Sequence, residues 1–271
     1  MPLTISTWNI NSVRLRIELV AKFLKATRPD VLCLQETKCP DDAFPLKRLA
    51  KLGYGHVAMS GQKGYHGVAI VSRLPFEATA TRAFCDKQDC RHVAVTFGET
   101  TGLKDPATLH NFYVPAGGDE PDPVANTKFA HKLQFLDEMR VADGLHPANG
   151  ARAILVGDLN VAPLEHDVWS HKQMLKVVSH TPVECEKLVA VQKAGAWIDA
   201  MRAHVPPSEK LYTWWSYRAA DWAASDRGRR LDHVWVSPVL GDRVSSMTVT
   251  RAARGWPQPS DHVPVTVKLE I

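Results

Sequence analysis

Four short polar clusters, each next to an apolar strand-like run, contain the residues that could do chemistry. They are Trp-Asn-Ile-Asn at residues 8–11, Gln-Glu-Thr-Lys at 35–38, Gly-Asp-Leu-Asn at 157–160 and Ser-Asp-His at 260–262. The first three follow their strands and the fourth precedes one. Polar groups at the ends of buried strands converge on one mouth of a sheet sandwich. Carboxylate and amide oxygens without thiolates suit Mg²⁺ or Mn²⁺ better than Zn²⁺.

Each cluster taken alone also has a purely structural explanation. Asp158 and Asn160 are common turn formers, Glu36 could cap a helix, and Asp261 with His262 could form a surface pair. Residues 260–262 are not a self-contained catalytic triad, because successive side chains of an extended segment point to opposite faces. The occurrence of all four clusters in one chain is what makes coincidence improbable.

Other functional motifs are weaker or missing. Gly-Tyr-Gly at residues 53–55 follows a helix and opens a strand, the reverse of the order in a dinucleotide site, so it is interpreted as a turn. The sequence contains no P-loop and no nucleophile elbow. His166, His171 and His180 share one long loop, but their spacing matches no zinc pattern, which leaves a histidine metal site as a minor alternative.

The elements that must position the clusters alternate between strands and helices. Apolar patterning predicts strands at residues 3–8, 30–34, 66–72, 92–97, 109–114, 153–156, 211–215, 231–236, 244–250 and 263–269. Apolar spacings of three and four predict helices over residues 13–24 and 129–139, and another lies around 188–203. The final strands arrive without intervening helices, which favours two packed sheets over a parallel barrel. Without a linker or an internal repeat, residues 1–271 are interpreted as a single domain.

Composition excludes several protein classes. With 271 residues, 45% of them hydrophobic and 23% charged, the chain is neither disordered nor fibrous. No apolar run reaches the roughly 18 residues of a membrane span, and no secretory signal is recognisable, so we expect a soluble, cytoplasmic protein. The net charge of +4 permits an anionic partner without requiring one. Five cysteines without a C-x-x-C pair argue against a disulfide framework and for a reducing compartment.

The ordered set of motifs resembles the exonuclease III family of abasic-site endonucleases, within the endonuclease/exonuclease/phosphatase superfamily. The resemblance also includes Tyr-His-Gly-Val-Ala at residues 65–69, Tyr-Val-Pro-x-Gly at 113–117, Arg-Leu-Asp at 230–232 and Pro264. It extends from residue 5 to about residue 265. It implies an α/β fold, a four-layered α/β sandwich in which two mixed β-sheets pack face to face and are flanked by helices. That fold agrees with the pattern of elements.

The resemblance also implies a role for each matching residue. The implied metal ligands are Asn9, Glu36, Asp158, Asn160 and Asp261, and the residues implied in catalysis are Tyr113, Asp158, Asn160, Asp232 and His262. Asp158 would activate the attacking water or later protonate the leaving oxygen, and Asn160 would donate to the phosphoryl oxygen. His262, paired with Asp232, would stabilise or protonate the scissile phosphate that Tyr113 touches.

Phosphodiester chemistry supports these roles independently. The substrate is a repelling anion, so hydrolysis needs a cation on a non-bridging oxygen, an activated water in line, and help for the leaving alkoxide. Glu36 with Mg²⁺ would supply the first, Asp158 the second, and the metal with His262 the third. Asp232 would hold the imidazole in one tautomer and keep it protonated. Tyr113 also fits a buried aromatic residue whose hydroxyl finds a neighbour.

Substrate contacts are expected from the second half of the chain, where tryptophan and arginine are concentrated. Six of the eight tryptophans lie from residue 197 onward; Trp197 and Trp235 are assigned to the core, and the others suit a phosphate backbone and an unstacked nucleotide. In the family, residues near positions 214, 215 and 231 wall a pocket for a flipped base-less sugar. Arg229 stands where family members often have an apolar or aromatic residue, and Ser216 where many bacterial members have aspartate. The predicted substrate-binding residues are Asn11, Tyr65, Lys128, Trp214, Arg218, Arg229, Leu231 and Trp256.

We therefore expect a monomeric, magnesium-dependent DNA-repair enzyme, with Mn²⁺ as a substitute metal, that works in the cytoplasm near the nucleoid and not at a membrane. It would incise double-stranded DNA 5′ to abasic sites and remove 3′ blocking groups or nucleotides as a 3′-to-5′ exonuclease. A charged pocket wall at Arg229 and crowding by residues 169–172 leave an alternative, a 3′-phosphodiesterase with weak abasic-site incision. A superfamily phosphatase or RNase is a further alternative. A DNA-binding module without activity is disfavoured because the catalytic set is intact.

Overall fold

The computed structural model describes residues 2–147 and 150–271. Its strands are β1 Pro2–Asn9, β2 Val31–Gln35, β3 His56–Ser60, β4 Val68–Ser72, β5 Ala78–Thr81, β6 His92–Phe97, β7 Ala107–Tyr113, β8 Arg152–Asp158, β9 Ile198–Asp199, β10 Trp214–Trp215, β11 Gly228–Arg229, β12 Asp232–Val236, β13 Val244–Val249 and β14 Val265–Glu270. Its α-helices are α1 Ile17–Thr27, α2 Leu46–Ala50, α3 Thr127–Val141, α4 His171–Met174, α5 Pro182–Ala194, α6 Ala200–His204 and α7 Trp222–Ser225.

The long strands form two six-stranded sheets. The strand order is β13-β14-β1-β2-β4-β3 in the first sheet and β5-β6-β7-β8-β12-β9 in the second. Each sheet is mixed, since β1 pairs in parallel with β2 and β7 with β8, whereas the neighbouring pairs are antiparallel. Strands β10 and β11 form a separate two-stranded ribbon. The expected fold class of two mixed sheets flanked by helices is confirmed.

Side-chain alternation along the strands explains the layers. Leu3 and Ile5 of β1 lie in a core cluster that contains residues of both sheets. Leu32 and Leu34 of β2 point the other way and join a cluster with residues of α1. On the outer face of the second sheet, Leu155 of β8 belongs to a cluster with residues of α3 and α5. Trp197 and Trp235 lie in that cluster and are buried, which confirms their assignment to the core.

Two predicted helices differ from the structure in their bounds. The first begins at Ile17 and not at Val13, and it ends at a left-handed Arg28 just before Pro29. The helix predicted around residues 188–203 is two helices, α5 and α6, separated by the short strand β9. Just after α5, Ala196 has a φ of 50°, which ends the helical path, and glycine is needed at position 195 because a Cβ there would lie 2.1 Å from the Trp197 indole nitrogen. The chain then turns to place β9 beside β12.

The strand predictions fail mainly at sheet edges. The segment at residues 211–215 is a strand only at its last two residues, and β5 was not among the predicted strands, whereas β3 is the strand that the turn at residues 53–55 was expected to open. β5 is an edge strand that is exposed at every residue, so it lacks the apolar pattern of a buried strand. The turn at residues 53–55 is confirmed, because Gly53 has a φ of 90° and lies between α2 and β3. Among the described residues, no helix is both long and apolar enough to cross a membrane.

Candidate active site

The ends of the central strands bring the predicted residues to one edge of the sandwich. Asn9 closes β1, Glu36 directly follows β2, Tyr113 closes β7 and Asp158 closes β8. Asp232 opens β12 and lies directly opposite Asp158 in the antiparallel pair. Because both parallel strand pairs end here, the sequence clusters of both halves of the chain meet at one place.

Backbone conformation is unusual at three residues of the polar clusters. Asn11, Glu36 and Asn160 have φ angles of 47°, 50° and 54°, in the left-handed region that non-glycine residues seldom adopt. Asparagine visits this region readily, but for Glu36 the conformation costs about 1–2 kcal/mol, and strained residues of this kind concentrate at functional sites. The Ser12 amide donates to the Glu36 carbonyl at 2.7 Å, which ties the first two clusters together.

A glycine is required immediately before Asp158. Gly157 has a φ of 138°, and a Cβ at this position would lie 2.0 Å from the Phe112 carbonyl oxygen on the neighbouring strand β7. The two parallel strands therefore approach closely just before they end. This contact explains the glycine of the Gly-Asp-Leu-Asn cluster.

Asn9 links the carboxylates of the two sheets. Its side-chain nitrogen donates to Glu36 Oε1 and to Asp158 Oδ2, both at 2.9 Å. Lys38 Nζ lies 2.7 Å from Glu36 Oε2 and donates to Asn11 Oδ1 at 2.6 Å. Burial favours the neutral acid at Glu36, but the Lys38 ammonium, the hydrogen bond from Asn9 and the charge of His262 together outweigh it and hold the pKa of Glu36 below its ordinary value. No role was assigned to Lys38 from the sequence, although its place two residues after Glu36 was a usable signal.

His262 lies between two carboxylates. Its Nδ1 is 2.8 Å from Asp232 Oδ2, and its Nε2 is 3.6 Å from Asp158 Oδ2, with all three side chains buried. Burial opposes the charged imidazole, but Asp232 and Asp158 outweigh it and raise the pKa of His262. Burial also raises the pKa of Asp158, against the opposing charge of His262. The imidazole is thus fixed in orientation, and it presents Nε2 to Asp158.

Asn160 and Tyr113 join the residues described above. Together they form the inner cluster, which consists of Asn9, Glu36, Tyr113, Asp158, Asn160, Asp232 and His262. The Asn160 side-chain nitrogen donates to the Val114 carbonyl at 2.8 Å and to Asp158 Oδ2 at 3.1 Å. Tyr113 is buried, and burial together with the charges of Glu36 and Asp158 raises the pKa of its phenol well above the ordinary value. Its hydroxyl therefore stays protonated and able to donate a hydrogen bond to an anion.

Asp261 connects the inner cluster to Trp214. The Trp214 indole nitrogen donates to Asp261 Oδ2 at 2.9 Å, and the Asn11 side-chain nitrogen donates to Asp261 Oδ1 at 3.2 Å. Trp214 also forms an isolated β-bridge with His262. Trp8 donates from its indole nitrogen to the His262 carbonyl at 3.0 Å, which anchors the segment before β14 to β1.

The donor set of this edge fits a hard divalent cation. Among the described residues, one compact group of possible ligands is Asp158, Asp232 and His262, whose ligand atoms lie within 4.8 Å of one another. It differs from the expected ligand set, which includes Asn9, Glu36 and Asp261. His262 and Asp232 already bond to each other, whereas the Glu36 side chain is 18% exposed. Glu36 is therefore more open to an incoming cation than the buried Asp158 and Asp232, and oxygen donors favour Mg²⁺ or Mn²⁺.

The predicted substrate-binding residues lie around two cavities and behind the site. Tyr65, which is 70% exposed, and Lys128 line a cavity of about 620 Å³ that Tyr113 also lines. Arg218, Arg229 and Trp214 line a second cavity of about 500 Å³, with Trp169 of the 169–172 segment in its wall. Leu231 is buried in a cluster against Trp214.

Trp256 and the loop histidines have partners within the protein. The ring of Trp256 lies 6.2 Å from that of Trp8, and Lys22 Nζ lies 4.2 Å from the Trp256 ring centroid. Trp256 therefore packs behind the site and lines neither of the two cavities. His171 Nδ1 is hydrogen-bonded to His180 Nε2 at 2.8 Å, and His180 also bonds to the Ala162 carbonyl.

A buried lysine supports the segment that carries Asn160. Lys132 of α3 is fully buried, donates to the Asn160 carbonyl at 2.7 Å, and forms an ion pair with Glu184 of α5. Both Glu184 oxygens accept from the Ser179 amide at 3.0 Å. Lys132 was not recognised from the sequence. Its position three residues after Phe129, on the apolar face of the predicted helix, was the available signal.

Replacement of Lys132 by Met should destabilise the protein strongly, because Glu184 would be left as a buried, unpaired carboxylate. We expect the free energy of unfolding to fall by about 3–5 kcal/mol, measured by urea denaturation. The matched control is Lys187→Met, which removes a more exposed ion pair with Asp137 (2.6 Å) and should cost less than about 1 kcal/mol. Equal losses for the two variants would contradict this role of Lys132.

Comparison with known proteins agrees with this geometry. The sequence model of the endonuclease/exonuclease/phosphatase family matches residues 6–262. The chain belongs to this family. The match includes the four polar clusters, and it confirms the family expected from the motifs.

Individual members of this family are similar along nearly their whole length. Exodeoxyribonuclease III of Haemophilus influenzae is 28% identical over 97% of this chain and 98% of its own. Among solved structures, an AP endonuclease from Archaeoglobus fulgidus superposes with a TM-score of 0.88 at 29% identity, covering 99% of this chain and all of its own. The 3′ phosphatase NExo from Neisseria, bound to a product DNA hairpin, superposes with a TM-score of 0.87 at 30% identity and the same coverage.

Proposed function

We propose that this family member is a magnesium-dependent DNA-repair phosphodiesterase that acts on 3′ ends and abasic sites of duplex DNA. The observation that carries the proposal is the inner cluster, in which Asp158 lies between the Asp232–His262 pair and the Asn9–Glu36 pair at one strand edge. Similarity to exodeoxyribonuclease III, to an AP endonuclease and to a 3′ phosphatase supports DNA as the substrate. We further propose that the chain acts as a single-domain monomer on DNA in the cytoplasm.

The residues of the cluster supply most of what hydrolysis needs. Asp158 holds the attacking water and accepts its proton, since its Oδ2 lies at the centre of the cluster. The water oxygen bonds to phosphorus, the bond between phosphorus and the 3′ oxygen breaks, and that oxygen leaves with a proton from His262, which regains one, the proton that Asp158 took from water. Asn160, Tyr113 and His262 donate hydrogen bonds to the phosphoryl group as charge builds on it. Asp232 keeps the His262 ring in one orientation.

A divalent cation would be held mainly by Glu36, with Asn9, Asp261 and Asp158 nearby. When bound, it supplies positive charge that offsets the negative charge of the phosphate in the transition state. Lys38, which neutralises Glu36, keeps this carboxylate ionised before a cation arrives.

Metal removal tests the proposed function directly. A duplex with one internal tetrahydrofuran abasic analogue, and a second duplex with a 3′-phosphate end, should both be cleaved with Mg²⁺ and left intact with EDTA. Restoring Mg²⁺ or Mn²⁺ should restore cleavage, whereas Ca²⁺ serves as a control for charge without the same geometry. Products are separated on a denaturing gel. Absence of metal-dependent cleavage of both duplexes, with hydrolysis of RNA or inositol phosphates instead, would reject the DNA-repair function.

One observation favours a second candidate, a 3′-end phosphodiesterase with weak incision at abasic sites. Arg229 lines the 500 Å³ cavity next to Trp214, so a cation stands in the wall of the pocket expected to take a neutral, base-less sugar. The ratio of the two cleavage rates in the same experiment separates the candidates.

A further inference from the structure

A further cavity lies at the end of the first sheet that is remote from the inner cluster. It has a volume of about 320 Å³, and the end of α1, the end of α2 and the residue after β4 supply its lining: Leu24, Lys25, Arg28, Lys51, Leu52, Tyr54 and Arg73. Ser72 of β4 lies opposite Val31, the first residue of β2, whereas Glu36 follows the last residue of β2. With about 3.3 Å per residue of strand, roughly 15 Å separate this cavity from Glu36.

Four cationic side chains surround this cavity, which we call the basic cavity: Lys25, Arg28, Lys51 and Arg73. Among the described residues, no carboxylate lines it. Within the same residues, three of the four cations have no carboxylate within 4.0 Å, and the fourth, Arg73, lies 3.5 Å from Asp30. Arg48 of α2, which lies outside the basic cavity, instead pairs with Glu18 at 2.7 Å. The basic cavity therefore carries an excess of positive charge.

Backbone contacts hold the segments around the basic cavity in place. Arg28 ends α1 in the left-handed region, at a φ of 48°. The buried Tyr54, which follows α2, donates from its hydroxyl to the Pro29 carbonyl. The Arg73 amide donates to the Asp30 carbonyl at 2.9 Å. All three segments that supply the cations are thus connected through the turn between α1 and β2.

The carboxyl ends of the two helices explain only part of this charge. A cation near the carboxyl end of a helix is favourable, because the last carbonyl groups carry partial negative charge. Lys25 lies in the last turn of α1, and Lys51 caps α2, so both gain this stabilisation. Arg73 follows a strand and does not gain it. Because like charges repel, an anion in the basic cavity would offset a repulsion that the helix ends leave in place.

We propose that the basic cavity binds a compact polyphosphate, such as the triphosphate of a nucleotide, at a site separate from the inner cluster. Four cations from three segments converge on one small volume, and linked phosphates place several negative charges within such a volume. A DNA strand instead spreads its charges along a line, one per about 3.4 Å of helix axis. The two guanidinium groups match phosphate oxygens in pairs, and the two ammonium groups supply point charges. This inference does not depend on the proposed function.

Isothermal titration calorimetry with inorganic tripolyphosphate tests the site, in buffer freed of divalent cations by a chelating resin. The wild-type protein should bind tripolyphosphate. Lys51→Gln should raise Kd about tenfold, near the lower end of the range for a hydrogen bond to a charged group. Lys47→Gln is the matched control, because Lys47 lies on the same helix α2, is exposed and does not line the basic cavity. It should keep the wild-type Kd.

Two further variants locate the bound anion. Arg28→Asn removes a second cation, and asparagine accepts the left-handed backbone, so Kd should rise about tenfold while the fold is kept. Arg218→Gln removes a cation from the cavity beside Trp214 and should leave Kd unchanged. Circular dichroism shows that each variant is folded.

Each outcome decides the proposal. Absence of binding to the wild-type protein, or equal Kd values for Lys51→Gln and Lys47→Gln, overturns it. A rise in Kd for Arg218→Gln alone also overturns it, since the anion then binds beside Trp214. A lesion-free duplex, followed by fluorescence anisotropy, should bind Lys51→Gln and Lys47→Gln equally. Weaker binding to Lys51→Gln would identify the basic cavity as a DNA contact and reject a small polyphosphate as its ligand.

Discussion

Asp158→Ala is expected to abolish measurable cleavage of an abasic or 3′-blocked duplex, with kcat reduced by at least about 10³-fold. The carboxylate lies between Asn9, Asn160 and His262, and we propose that it is the base for the attacking water. Binding of the duplex should persist, because the carboxylate acts mainly on the transition state and carries the same sign of charge as DNA. Single-turnover cleavage and fluorescence anisotropy measure the two properties separately.

Two variants control this experiment. Asp158→Asn keeps the shape of the side chain and the contact with Asn160 but cannot accept a proton from water, so it should be as inactive as Asp158→Ala. Asp137→Ala removes a carboxylate from the outer helix α3, where it pairs with Lys187, and should leave cleavage unchanged. Loss of duplex binding in parallel with activity would argue that Asp158 holds the substrate or the fold and not the attacking water.

The polar clusters could be predicted because their residues lie next to one another in the sequence and end strands with clear patterns. Glu36 and Asp158 were found in this way, and the register of β8 with β12 explains why Asp232 joins them. Their roles in catalysis remain predictions until the variants are measured. Contacts between distant segments, such as Asn9 with Asp158, depend on how the two sheets face each other, which local periodicity does not encode.

Residues with buried charge were the hardest to recognise. Lysine is typical of solvent-exposed helix positions, and only the position of Lys132 on the apolar face of α3 indicates that it is buried. Among the described residues, no carboxylate lies within 4.0 Å of the Arg229 guanidinium, whereas Arg230 and Arg202 both pair with Asp167, and the sequence cannot show this difference. The prediction of secondary structure failed at some places for a related reason. The break between α5 and α6 coincides with the packing of Gly195 against Trp197, which lies in the core, and the edge strand β5 has no buried residue to give it an apolar pattern.

His262→Ala is expected to reduce kcat by about 10²–10⁴-fold, the usual range for loss of a proton donor or acceptor. The imidazole is buried, and its Nε2 faces Asp158 at 3.6 Å, so it is placed to act on the phosphoryl group or the leaving oxygen. KM should change much less than kcat, because in the proposed role His262 contacts charge that develops only during the reaction. Steady-state kinetics on the 3′-blocked duplex give both values.

Because Asp232 is hydrogen-bonded to His262, variants of both residues test the role of His262 more strictly. Asp232 is a positioning residue whose Oδ2 holds His262 Nδ1 at 2.8 Å and whose Oδ1 has no partner. Asp232→Ala should therefore lower kcat only through His262, and the double variant should be no slower than His262→Ala alone. Non-additivity of this kind identifies residues that act as one unit. If the two losses instead multiply in the double variant, Asp232 acts on the reaction independently, and the imidazole is not the group through which it works.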